Sequence, residues 1–206
     1  MYASLIVVDD FYPDPMAVRQ MALDMDYDEQ KPPIIFPGRN SARKVIPEGV
    51  DPVVSSIVGE PVSANLEAPH GNFRIAVADD DNHMTYRRHV DMNSYWSGIL
   101  SLSLPGDDQE GTKIFSHKEL GDWVPTDDRA RELGFADVAE AVVHYVDRDT
   151  MDDSKWDLLM TVPMRFNRLI LMRSQVWHEP GRSFGDCLDN GRLVHLMFFL
   201  PARPPQ

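Results

Sequence analysis

Cysteine, basic residues and long apolar runs are all scarce in this sequence. Its 206 residues include one cysteine, Cys187, so no internal disulfide can form and nothing argues for an oxidising compartment. No CxxC or similar thiol motif surrounds it. Lys and Arg total 20 against 33 Asp and Glu, a formal net charge of −13. Such a surface repels polyanions, so neither a nucleic acid nor an anionic membrane is expected as a partner. The acidity favours solubility; its sharper reading is attraction of a cationic substrate. No apolar stretch nears the roughly 20 residues that span a bilayer. The opening MYASLIVVDD lacks a basic region ahead of its brief apolar run, Leu5 to Val8. A secretion signal is therefore not expected, and the cytoplasm is the default location. Repeats and low-complexity segments are absent as well.

What is present reads as one globular domain over residues 1–206. Apolar residues make up 43% of the chain, and a chain this long can bury a core without covalent staples. Ser4 to Val8 reads as a strand. Asp14 and Pro15 suit the N-cap and first turn of a helix, and Val18, Met21, Ala22 and Met25 keep helical spacing over 15–27. Pro32, Pro33, Pro37 and Pro47 break residues 28–52 into loop, with a short strand expected at 34–36. A short helix is expected at 52–59. Strands are expected over 73–78, 85–90, 97–104, 111–116, 165–172, near 175–178, and over 192–200. Between them, Ala130, Leu133, Phe135, Val138, Ala141, Val142 and Tyr145 repeat at helical intervals, and an acidic connector follows at 147–157. The expected fold is mainly β. It is a two-sheet antiparallel jelly roll, with helices on the outside of one sheet and a helical insertion at about 124–158.

Three features carry chemistry. His89-Val90-Asp91 ends an expected strand, where residues i and i+2 point to the same side. His178 ends another extended run, and Arg192 starts the last one. Two histidines and one carboxylate are the ligand set of facial-triad iron oxygenases. The number matters: three ligands on one face of an octahedral Fe(II) leave three positions free. 2-Oxoglutarate needs two of these and O2 the third. An arginine can grip the far carboxylate of 2-oxoglutarate with two parallel hydrogen bonds. Arg192 has the position for that role, and Arg182, in a turn-rich segment, is the competing choice.

The order HxD…H…R resembles the 2-oxoglutarate/Fe(II) oxygenase superfamily. HVDMNSYWSGILSLSLPGDDQEGTKIFSHKELG is similar to the stretch in prolyl-hydroxylase-like members where the HxD precedes an apolar strand, an acidic turn and a Gly-Gly-Thr-type strand. Here Glu110-Gly111-Thr112 stands in that place, with the first Gly replaced. RFNRLILMRSQVWHEPG resembles the strand that leads to the distal histidine. The opening VVDDFYPDPMAVRQMAL resembles the start of the DUF6445-like branch. The resemblance implies a double-stranded β-helix, with His89, Asp91 and His178 as metal ligands and Arg192 on 2-oxoglutarate. It also places Tyr86 roughly where some relatives hold a hydroxyl donor to the cosubstrate. The implied activity is hydroxylation or desaturation of an unactivated C–H bond in a small-molecule substrate, since a carboxylate at 91 denies a halide the coordination site it would need. The competing readings are a jelly-roll module that binds without turnover and a cupin-type metalloenzyme that does not use 2-oxoglutarate.

Other residues stand further from this chemistry. By strand parity His195 leaves the face of Arg192 unless a bulge intervenes, and it reads as buried or facing away. His117 reads as solvent-facing near the barrel mouth. His70, His83 and His144 receive no role. Trp177 should point away from His178 into packing. Trp123 and Trp156 bracket the helical insertion, which is either a lid that selects substrate or a packed outer helix. The sequence is silent on oligomeric state.

Overall fold

A computed structural model describes residues 3–29, 35–85, 87–106 and 110–202. The chain opens with β1 (Leu5–Val8) and α1 (Pro15–Leu23), whose first turn is capped by the Asp14 carboxylate accepting from Ala17 N. There follow β2 (Arg39–Asn40), α2 (Val50–Val58), β3 (Val62–Ala64), β4 (Phe73–Ala76), β5 (Trp96–Ser101) and β6 (Thr112–His117). The helices α3 (Asp127–Glu132) and α4 (Val138–Asp149) come next, then β7 (Trp156–Val162), β8 (Leu169–Arg173), β9 (His178–Glu179) and β10 (Arg192–Pro201). Every strand pair is antiparallel. The large sheet has the order β1-β8-β5-β10-β4-β2, with β3 also on β10, and the small sheet has the order β7-β6-β9.

Alternation along the strands assigns their faces. Leu193, Met197 and Phe199 of β10 join Phe73, Ile75, Leu100 and Leu171 in the main core, which Ala22 of α1 and Val50 and Val54 of α2 close from outside. The opposite face of the large sheet turns toward the small one, where Ile170 and Met172 meet Ile114 and Val162. Beyond the small sheet, Ala141, Val142 and Tyr145 of α4 pack on Phe115, Trp156 and Trp177. Helices therefore cover the outside of both sheets, where the sequence led us to expect cover on one.

Three further expectations change. Residues 85–90 form no strand among the described residues; their one ladder contact is an isolated antiparallel bridge between His89 and His178. The reason is local: the N–H groups of Arg87 and Arg88 both donate to Thr150 Oγ1, at 3.0 Å, and so are withdrawn from any ladder. The acidic connector is not irregular throughout, since α4 runs on to Asp149 and β7 begins at Trp156. In the 34–36 strand expectation, residue 34 lies outside the described residues, and pairing starts only at Arg39.

Candidate metal centre

His89 and His178 face each other across that isolated bridge. Each N–H donates to the other's carbonyl oxygen at 3.0 Å, and the imidazole centroids lie 4.3 Å apart. Asp91, two residues on, is tied to the chain before His178 by its N–H donating to Ser174 O at 2.7 Å. One ligand atom from each of His89, Asp91 and His178 lies within 4.8 Å of the others. The Asp91 carboxylate spans the two rings, with Oδ1 3.9 Å from His89 Nε2 and Oδ2 3.7 Å from His178 Nε2.

The far sides of both rings decide what the near sides can do. His178 Nδ1 lies 2.9 Å from Val176 O, and His89 Nδ1 lies 3.2 Å from Arg87 O. A carbonyl oxygen only accepts, so each Nδ1 carries the proton and each Nε2 presents a lone pair inward. Burial, then the neighbouring His178, holds the His89 imidazole well below its ordinary range, in the neutral form a metal requires. The donor set fits a divalent ion that takes two nitrogens and one oxygen and keeps open positions.

The triad borders a cavity of about 780 Å³. Alternate residues of β10 form one wall: Arg192, Val194, Leu196, Phe198 and Leu200. Arg192 is only 5% exposed, makes no ion pair among the described residues, and leaves Nε without a hydrogen-bond partner. Burial lowers its pKa to about 10, Arg74 acts in the same sense, and Asp81 and Asp80 oppose it from a distance. Those two carboxylates are engaged elsewhere, Asp81 accepting from Ser183 N and Asp80 from Val77 N. A buried guanidinium without a counterion is costly unless an anion reaches it. Arg182, the competing choice, is instead 79% exposed, beside Glu110, and lines a different cleft. Tyr86 lies outside the described residues.

The structure adds residues that the sequence reading passed over. Glu179, beside His178, is buried among Arg87, Arg88 and Lys113, with Arg87 Nε 3.0 Å and Arg88 Nε 3.4 Å from Oε2. This cluster ties the two ligand-bearing segments together one residue away from the ligands. Arg74 of β4 also lines the cavity; nothing in local sequence marks it, because only the β4–β10 pairing brings it near Arg192. His195 faces the core side as expected, with Nδ1 2.7 Å from Tyr12 OH and Nε2 3.0 Å from Val45 O. His117 corrects the expectation of a solvent-facing ring. It is fully buried, its Nε2 2.9 Å from Asp149 Oδ2, because α4 covers this face of the small sheet. Trp177 is buried in that same outer cluster. No residue of 124–158 is among those lining the cavity; α4 of the insertion packs on the outer face of the small sheet.

The model of DUF6445, a family of unknown function, matches residues 2–199. No curated protein matches the sequence. Among solved structures, the fold is similar to HygX from Streptomyces hygroscopicus with nickel, 2-oxoglutarate and hygromycin B bound. There the TM-score is 0.56 at 10% identity, covering 96% of this chain and 83% of HygX. The HygX structure with nickel and 2-oxoglutarate alone gives a TM-score of 0.53 at 11% identity with the same coverage.

Proposed function

We propose that this chain, which belongs to the DUF6445 family, is a non-haem Fe(II) oxygenase that consumes 2-oxoglutarate and O2 on a double-stranded β-helix. The observation that carries the reading is the pairing of an inward-facing His-Asp-His set with a buried Arg192 that makes no ion pair among the described residues, in one cavity. The likeness to HygX supports it, since that fold holds a metal and 2-oxoglutarate together. In this reading His89, Asp91 and His178 hold the iron, and when bound the iron with 2-oxoglutarate supplies the O2-dependent oxidation of an unactivated C–H bond.

The remaining work belongs to side chains of this protein. The carbonyls of Arg87 and Val176 keep both Nε2 lone pairs aimed inward. Asp91 contributes one negative charge and fills the position a halide would need, which favours hydroxylation or desaturation. Arg192 receives the far carboxylate of 2-oxoglutarate as a bidentate partner. Ile99, Val194, Leu196 and Phe198 make an apolar wall that orients a small-molecule substrate and keeps water from the reacting carbon.

Three measurements test this. Anaerobic Fe(II) with 2-oxoglutarate should give the weak visible charge-transfer band of a chelated cosubstrate, which a non-catalytic module lacks. Asp91→Ala should abolish iron-dependent succinate formation; wild-type turnover in that variant rejects the assignment. Arg192→Gln should raise the 2-oxoglutarate concentration for half-saturation by at least about tenfold, the loss of a charge-assisted pair. An unchanged value would move the clamp elsewhere.

A further inference from the structure

The cavity holds a second guanidinium that the proposed cosubstrate leaves unused. Arg74 on β4 lies opposite Val194 and diagonal to Arg192, on the same face of the sheet. Its Nε donates to Asn40 Oδ1 at 2.9 Å, which fixes the head group, and no ion pair engages it among the described residues. Its field reaches His89, Asp91 and Arg192 alike, so it lies within electrostatic range of both the triad and the buried arginine.

Charge counting shows the surplus. Among the groups that line the cavity, leaving out the exposed Glu67, a divalent metal, Asp91, the two carboxylates of 2-oxoglutarate and Arg192 sum to zero. Arg74 then remains as one positive charge in a half-buried place, beside the apolar Val194, Leu196 and Phe198. Glu67, which also lines the cavity, is exposed to solvent. The local sign is the reverse of the whole molecule, whose net charge is −13.

We propose that Arg74 is the substrate-recognition residue of this cavity, and that the substrate presents a carboxylate or phosphate to it from an apolar body. The proposal rests on the oxygenase reading, because it assigns Arg192 and the metal to 2-oxoglutarate and leaves Arg74 free.

The test uses the full chain loaded with Ni(II), which is redox-inert here. Calorimetry first follows 2-oxoglutarate, then, with 2-oxoglutarate saturating, the matched probes hexanoate, hexyl phosphate and hexanamide. The expected result is binding of an anionic probe at least about tenfold tighter than the amide. Whichever anion binds better names the head group. Arg74→Gln should remove that preference while changing 2-oxoglutarate affinity less than about threefold, and Arg74→Lys should restore part of it. Equal binding of hexanoate and hexanamide, or no binding of any probe, overturns the proposal. So does an Arg74→Gln variant that loses 2-oxoglutarate as Arg192→Gln does, which would make Arg74 a cosubstrate clamp. Failure of the wild-type protein to bind 2-oxoglutarate at all sinks the oxygenase reading instead.

Discussion

Glu179 shows how much of the candidate metal centre lies outside the three residues proposed to hold the ion. Its carboxylate is buried, and burial pushes its pKa up against the pull of Arg87, Arg88 and Lys113. Arg87 and Arg88 precede His89, and Glu179 follows His178, so one ion cluster sets the separation of the two backbone segments that carry the proposed ligands. Glu179→Gln keeps the shape and removes the charge. Arg88, 3% exposed, would then lose one of its two carboxylate partners. The expected cost is about 3 kcal/mol of stability, with metal affinity lowered about 10- to 100-fold. Urea unfolding and competition with a chelator measure the two separately. Loss of stability with metal affinity intact would make Glu179 purely structural. The grouping of His89, Asp91 and His178 was legible in the sequence because His-x-Asp and a distant His are residue types with few other reasons to converge. Glu179 was not, because its partners come from two segments distant in the chain, and nothing local distinguishes it from a surface glutamate.

Among the elements, strands were readable where side-chain character alternates along the chain. β5 and β10 alternate large and small or core and cavity residues, and both were expected nearly in place. β7 was missed because its burial does not alternate: Trp156 and Val162 are buried while the five residues between are exposed. Among the described residues it pairs with β6 alone, and it slips register beside Ile114 and Phe115, which is how a bulged edge strand behaves. Glycine placement tells a parallel story. Gly111 opens β6 at φ +108, and a Cβ there would lie 2.1 Å from Val162 O. The position after Glu110 therefore keeps its glycine although the expected first Gly of the motif is gone. Gly111→Ala should destabilise the small sheet by more than 1 kcal/mol, roughly the scale of a strained non-glycine residue. The exposed Leu158, Leu159 and Met160 along β7 are an aggregation hazard. Leu158→Lys with Met160→Lys should raise the concentration at which light scattering begins, with stability held within about 1 kcal/mol, since both sites are exposed. An unchanged scattering onset would show that this edge is not where copies associate.

At the scale of the whole molecule, buried neutral histidines set the response to acid. His70, His117 and His195 lie away from the triad, and burial is the first cause that holds each below its ordinary range, His195 at about 4. In the unfolded chain these rings take a proton near pH 6.5, about the free value. Between that pH and the folded values the unfolded state binds more protons, so stability falls as pH falls. Above pH 6.5 the contribution is complete and flat. For His195 alone the shift corresponds to roughly 3 kcal/mol, lost by the time the pH reaches about 4. Carboxylates extend the decline downward: the Arg168 and Arg165 side chains lower Asp9 from 3.8 to about 2, so its share is lost progressively as the pH falls from the first value through the second. The urea midpoint should therefore stay level from pH 8 to 6.5 and then fall steeply to pH 4.5. His195→Gln should start from a lower midpoint, having lost the Tyr12 and Val45 contacts, but decline less over the same interval, because one of the protons that drives the fall is gone. A wild-type midpoint that stays level down to pH 4.5 would mean that these rings protonate without cost, and hence that the core around Tyr12, Phe73 and His195 admits water.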